Sequence, residues 1–581
     1  MTRPICAVIA ILASFAACAW AGDDSHPQGD PVLDEPTIHC LGMYWIIRGD
    51  NNRDAVVNVE YRKKGQSNWT KGPPLFRVDK EPKCPAQKGL KKKLAEDDWL
   101  FAGSIFDLTA ATDYEIKLSL VDPDGGKLEK TLQASTQAVP ALPKGLSELH
   151  VVPGEGGGNG TEAEPFKGLL TAIKASKPGS VYLLHKGTYV GTIDLIAGGE
   201  PAKPVVLTAA GDGEVIIDGD GKSIAIKAIG LKHVWIAGIT IKNCAVGISA
   251  NESSDIVIQR CRITSSQFGI NFNVSKSGTV ARFYVADNII EGPCTWPRKK
   301  GIETPRGIQM VGSGHVICHN RIKGFGDAIN TFQDSICTSI DIYGNELSEL
   351  TDDGIELDYS NRNVRCFRNR ITNAYQGISV QPVHGGPVYV LRNVLYNIEL
   401  EPFKMHNSPS GALFIHNTVV KAGEPMVLAT TAPVYNCVSR NNLFIGSAGR
   451  SACDIQAQMV RCDFDNDGFG GGPWQNFLMW NGNAYKTINH VKAKATVYRN
   501  AKMIDASAVF ASGLAIPGEV SKQYDPSNVD VRLKDGSAAV DAGTLLPGLN
   551  DASDHAAPDL GAYEYSGDSS PRPSYGPRDA K

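Results

Sequence analysis

Thr351–Asp358 reads TDDGIELD and places four carboxylates, Asp352, Asp353, Glu356 and Asp358, within seven positions. Side chains of one sign this close repel one another, so their clustering implies a metal or a positive ligand. Oxygen donors suit calcium, with Asp353, Glu356 and Asp358 as its ligands. Paired carboxylates also suit acid–base work on a glycosidic bond, with Glu356 and Asp358 as the catalytic pair. Further along, ELEPFKMHNS (Glu399–Ser408) supplies Lys404 and His406, either of which can act as a base. The two groups are distant in sequence, so the element that brings them together decides whether there is a site.

That element is a repeat. Asparagine followed by an apolar stretch recurs at Asn320, Asn345, Asn369, Asn393, Asn417 and Asn442, in steps of 25, 24, 24, 24 and 25 residues. A period of this size describes a solenoid, whose repeats bury their apolar faces only by stacking. The apolar runs are short, β-branched and broken by Gly or Asn (HVWIAGITI, DIVIQRCRI, SIDIYGNEL). They read as three strands per coil, stacked in parallel about 4.8 Å apart. One asparagine at the same corner of each coil forms an internal ladder that keeps buried amides satisfied. A second anchor falls on another strand: Ile248, Ile270, Ile308, Ile329, Ile355, Ile378 and Phe403, in steps of 22, 38, 21, 26, 23 and 25. The long step holds an insertion, Gly292–Arg306, with Trp296, Arg298, Lys299 and Lys300.

Alternate side chains of a strand face opposite ways. If Ile355 points in, then Glu356 and Asp358 point out, and Asp353 is expected beside them. Arg306 and Gln309 then lie two coils earlier, with Asp327, Asn330 and Phe332 one coil earlier. Gln376, Ser379 and Gln381 lie one coil later, and Glu401, Lys404 and His406 follow. Glu356 and Asp358 would be about 7 Å apart, and Lys404 on the order of 10 Å from Glu356, room for one sugar ring. Asp327, Asn330 and Gln381 can hydrogen-bond hydroxyls, Trp296 can stack on a ring, and Arg306 and the insertion's cations suit a polyanionic polysaccharide.

The repeat, with PFKGLLTAIKASKPGSVYLLHKGTYVG near its start and DVRLKDGSAAVDAG…APDLGAYEY near its end, resembles the right-handed parallel β-helix proteins of the pectate-lyase superfamily. The resemblance implies an all-β fold, with a short amphipathic helix capping the first coil. ELEPFKMHNS is similar to the Glu-x-Glu segment of alginate and dermatan lyases of this fold, which implies β-elimination on a uronic-acid glycan with Lys404 or His406 as base, the reaction expected ahead of hydrolysis or binding alone. The coil after it reads GEPMVLATT, without that family's arginine-histidine-glycine phrase. TDDGIELD resembles the aspartate-rich coil of polygalacturonase-like hydrolases, which implies hydrolysis with Asp327 as the neighbouring acid. A third reading is a non-catalytic carbohydrate-binding or cell-surface solenoid, because outward residues of a soluble solenoid are polar in any case.

The expected organisation is a signal peptide over 1–21, a fibronectin type III-like β-sandwich over 35–138, the β-helix over 145–450, a closing segment over 451–566 and a disordered tail over 567–581. The sandwich rests on the alternating stretches AVVNVEYRKKGQSNW and DLTAATDYEIKLSLVDPDG, and its Leu108–Tyr114 phrase resembles a tyrosine corner. Arg3, an apolar run from Ile5 and Ala19-Trp20-Ala21 read as a secretory leader, so a secreted or periplasmic protein is expected, with Cys18 allowing a lipid anchor. No later segment is long and apolar enough to span a membrane. A net charge of −4 argues against general nucleic-acid binding. No organic cofactor is implied, GEGGG lacks a P-loop lysine, and a monomer is expected.

Two of the thirteen cysteines fall in the leader, leaving eleven, so at least one is unpaired within the chain. Cys453 with Cys462 and Cys40 with Cys84 are candidate pairs. Cys244, Cys261, Cys318, Cys337 and Cys366 sit in strand-like runs and read as small core residues. DFDNDG carries Asp463, Asp465 and Asp467 at the opening spacing of a calcium loop. Trp474 stands where the bidentate Glu of an EF-hand belongs.

Overall fold

The computed structural model describes residues 25–80, 89–274, 279–301, 303–333, 335–551, 556–567 and 571–579. The leader expected over 1–21 and Cys84 lie outside them. Regular structure is almost entirely strand. Among the described residues, no helix is long and apolar enough to cross a membrane.

The body is a parallel β-helix in which each coil gives one strand to a first sheet and two to a second. In the first sheet Leu207, Ile236, Ile258, Val285, Ile317, Ile342, Cys366, Val390 and Phe414 follow one another in register, each buried. Cys366 thus occupies an aliphatic rung, as expected of a small core residue. In the second sheet the anchor column runs Ile248, Ile270, Ile308, Ile329, Ile355, Ile378, Phe403. The glycine before several of these residues lets the coils approach: a Cβ at Gly269 or Gly354 would lie 2.6 Å from the carbonyl oxygen of the next coil. The helix Leu169–Ala172 caps the first coil by burying Leu169 and Ala172.

The asparagine ladder joins the sheets. Each Oδ1 accepts both the backbone N–H and the Nδ2 of the preceding asparagine, at 2.8–3.1 Å from Asn320 to Asn442. Each Nδ2 also donates to a backbone carbonyl, as Asn345 does to Ile317 at 3.0 Å. The ladder begins one coil earlier than the repeat indicated, at Asn288, and its last rung is Asp467. The residue before each rung turns the corner at positive φ, for example His319 at 54°, Gly344 at 65° and Arg392 at 51°.

The front domain is antiparallel. The strand Thr70–Val78 pairs with both Val56–Lys63 and Asp98–Ile105, so the strands fold into two layers around Trp45, Val57, Phe101 and Leu118. Tyr114 packs in this core, and its Oη accepts the Thr109 N–H at 2.9 Å.

Three expectations are corrected. The β-helix does not stop at 450: Leu443–Ile455, Gly468–Trp480 and Lys502–Ile504 continue the second sheet in parallel. The tail is not loose between 571 and 579, because Tyr575 is buried beside Arg370 and Arg578 pairs with Asp287 at 2.7 Å. Cys453 and Cys462 are both free thiols, as is Cys40. Cys453 lies in the core near Tyr498, whereas Cys462 sits beside the backbone N–H of Cys437 at a coil corner.

Candidate functional site

The second sheet carries a continuous row of outward side chains: Asn271, Gln309, Asn330, Glu356, Ser379 and Lys404 are register partners in that order. Glu356 and Lys404 therefore share a face, as the two-residue alternation requires. Three residues earlier on the same strands, Arg306 pairs with Asp327 and Asp353 with Gln376. These residues face outward from the core and yet most are buried. Asp327, Asn330 and Asp353 are each 1% exposed, Asp358 2% and Lys404 9%. Arg306, Glu356, Gln381 and His406 are half-buried.

Register slips between Leu350 and Asp353, where an extra residue bulges the strand Glu346–Glu356. The bulge accounts for the long 26-residue step from Ile329 to Ile355 and brings Asp352 to its neighbours. One oxygen from each of Asp327, Asp352 and Asp353 lies within 4.8 Å of the others. Asp353 donates its N–H to Asp327 Oδ1 at 2.9 Å. Two cations hold the acids: Arg306 Nε lies 2.5 Å from Asp327, and Lys404 Nζ donates to Asp353 at 2.9 Å.

Proton affinities follow from this crowding. Burial, then the charge of Asp327, raises Asp352 to about 6. The same two causes push Asp353 well up, against the pull of Lys404. Glu356 is pushed up to about 11 by burial and then by Asp327 and Asp358, so it stays a neutral carboxyl. Burial raises Asp358 to about 6, although Gln381 N–H and Ser379 Oγ–H donate to it at 2.5 and 2.7 Å. Burial alone would lower Lys404, but the charges of Asp353, Asp352 and Asp358 hold its ammonium above the ordinary value.

The remaining expected site residues fall as follows. His406 Nε2 lies 3.0 Å from buried Glu401, whose Oε1 also accepts the Ala429 N–H at 2.8 Å. Trp296 presents no free ring face: it is buried, and its indole N–H donates to Val520 O at 3.2 Å. The insertion is pinned to the segment after the last coil rather than hanging free. Its Arg298 lies 3.5 Å over the Tyr375 ring and donates to Thr351 O at 3.3 Å. Asp353 gathers with Asp327 and Asp352, not with Glu356 and Asp358 as the calcium reading required, because the bulge turns it toward the preceding coil. Asp463, Asp465 and Asp467 do not converge. Asp463 pairs with Arg440, Asp465 accepts from Asn500, and buried Asp467 closes the ladder.

Several buried acceptors along the strip have no partner among the described residues: Asn330 Oδ1, Asp353 Oδ1 and Gln381 Oε1. A buried acceptor without a donor costs roughly 1–3 kcal/mol, so a ligand rich in hydroxyl donors gains by covering it. Sequence spacing missed Asp352 as a member of the central set. The 26-residue step was its only signal.

Residues 233–419 match the family described as right handed beta helix region. No curated protein matches the chain. Among solved structures, "The complex structure of XylC with xylose" is 12% identical, covers 72% of this chain and 98% of that one, and has a TM-score of 0.47. "Catalytic domain of GH87 alpha-1,3-glucanase in complex with nigerose" is 8% identical, covers 75% and 93%, and has a TM-score of 0.25. The chain is all-β, a right-handed parallel β-helix preceded by a small β-sandwich.

Proposed function

We propose that the strip hydrolyses a glycosidic bond of a neutral polysaccharide. The observation that carries this reading is the set of three carboxylates, Asp327, Asp352 and Asp353, with oxygens within 4.8 Å, two of them paired to Arg306 and Lys404. Their environments separate two roles. Asp352, raised to about 6, keeps its proton in mildly acidic solution and gives it to the leaving oxygen. Asp327, held against Arg306, is the carboxylate that attacks the anomeric carbon, because a separation under about 5 Å leaves no room for a water between the pair. Asp353 positions it through its N–H, and water admitted by Asp352 then releases the sugar. Glu356, Asn330 and Gln381 bind sugar hydroxyls.

Elimination would need Lys404 or His406 as a free base. Lys404 is locked as an ammonium on Asp353, and His406 sits on Glu401, so hydrolysis is favoured. Arg306 and Lys404, the cations on the strip's own strands, are paired with its acids, which favours a neutral glycan over a polyanion. Arg306 and Lys404 already occupy two of the three acids, and the reading involves no calcium. A polysaccharide substrate agrees with the secretory leader expected from the sequence over 1–21.

The test is incubation with neutral glucans and xylans beside alginate, pectin and glycosaminoglycans, with and without chelator. New reducing ends without ultraviolet absorbance, undiminished by chelator, are expected. An unsaturated, absorbing product would establish elimination instead. Binding without any product would establish the non-catalytic solenoid.

A further inference from the structure

Away from the strip, two turns at one end of the front domain bring acids together. The chain leaves the strand Leu41–Arg48 through Gly49-Asp50-Asn51-Asn52-Arg53-Asp54 and leaves Asp113–Val121 through Asp122-Pro123-Asp124-Gly125-Gly126. Val56 and Val121 are register partners, so the turns lie side by side. One oxygen from each of Asp50, Asp54 and Asp122 lies within 4.8 Å of the others. Asn52 Nδ2 donates to Asp124 Oδ2 at 2.5 Å and ties the turns together.

Asp122 is 6% exposed, and its Oδ2 is buried without a hydrogen-bond partner among the described residues. Its Oδ1 is used locally, by the Asp124 N–H at 2.9 Å. A carboxylate oxygen withdrawn from water and given no donor is costly unless a cation meets it. The Arg77 guanidinium pairs with Asp50 and donates to Ala55 O. Arg53 of the first turn reaches Asp79 instead, at 3.9 Å, so among the described residues Arg77 is the guanidinium paired into the set of Asp50, Asp54, Asp122 and Asp124.

We propose that these turns form a calcium site, with Asp122 Oδ2 and Asp54 as principal ligands and Asp50 shared with Arg77. The donors are all oxygen, which selects a hard cation, and two turns rather than a rigid cage suit calcium over magnesium. Because Arg77 already offsets one carboxylate, the affinity is modest, with Kd on the order of 10⁻⁴ M. Bound calcium would pin the two turns together and stiffen that end of the sandwich.

The test is calorimetric titration of the full chain with calcium chloride, beside thermal melts in calcium and in chelator. Terbium luminescence adds a local probe, because Trp99 lies under Arg53 and Arg77 at 4.9 and 5.6 Å. A saturable event and a higher Tm in calcium are expected. Asp54→Asn, at an exposed position, and Asp122→Asn should each weaken binding at least about tenfold, whereas Asp352→Asn should bind as the wild type. No binding by the wild type, or unchanged binding in Asp54→Asn and Asp122→Asn, would overturn the site. Loss of the event in Asp352→Asn would also overturn it, by placing the ion on the helix strip. None of these outcomes depends on glycan hydrolysis.

Discussion

Asp352 decides the proposed chemistry because it must arrive protonated. Its value of about 6 predicts that kcat/KM falls as pH rises through about 6, which a pH profile on a cleaved glycan would show. Asp352→Asn should lower kcat by roughly 10²–10⁴-fold with little change in the far-ultraviolet spectrum. If the variant keeps wild-type kcat, Asp352 is not the acid. Lys404→Gln removes a charge that lowers Asp352, so the alkaline limb should move to higher pH. An unmoved limb would separate Lys404 from the acid. Much of this face was legible at the level of single residues, since period two and the isoleucine column place Glu356 and Lys404 on one row. Which carboxylates touch was not legible, because a one-residue bulge sets it. Nor was the burial of Trp296, whose partner Val520 is remote in sequence.

At the scale of elements, the ladder is both the clearest sequence signal and a source of stability. Replacing Asn345 by Ala would strand the Asn320 N–H and remove three side-chain bonds, from Asn320 Nδ2, to the Ile317 carbonyl and to Asn369 Oδ1. A loss of about 2–4 kcal/mol in denaturant unfolding is expected. Asp467, the terminal rung, behaves differently from the asparagines. Burial raises it to about 7, above its unfolded value of about 3.9. The folded state therefore binds its proton more tightly, and the stability this gives is complete below pH 4 and lost as pH rises through 7. Asp467→Asn should raise Tm at pH 8, by about 2–4 kcal/mol of stability, and change little at pH 4. An equal effect at both pH values would deny the titration. The sequence read this aspartate as a calcium ligand because DFDNDG is a local pattern, whereas its true relation is to Asn442 one coil away.

At the scale of the whole molecule, the front domain lies along the flank of the β-helix instead of standing off on its linker. Asp34 meets Arg362 at 2.7 Å, Asp107 meets Arg368 at 2.7 Å, and Asp79 meets Arg461. In the middle, fully buried Arg365 pairs with Asp341 at 2.5 Å, and Thr37 Oγ1 and Ser104 Oγ of the front domain complete its shell. Removing one partner of such a pair costs about 3–5 kcal/mol, because the other charge stays buried. Arg365→Ala should therefore lower Tm sharply. The wild type should unfold in a single calorimetric transition, and Arg365→Ala should split it into two as the domains uncouple. Two transitions in the wild type would show that the docking does not hold.

The sequence by itself determined the solenoid, its three-stranded coil, the ladder and the row on which Glu356 and Lys404 meet. All of these follow from a period repeated along the chain, and a stacked coil converts period directly into neighbourhood. Tertiary structure alone decided that Asp352 joins Asp327, that Arg306 and Lys404 are tied up by acids, that the insertion is fastened by Val520, and that two turns of the front domain pool their carboxylates. Those outcomes depend on a bulge, on contacts between segments hundreds of residues apart and on burial, none of which leaves a periodic trace in the chain.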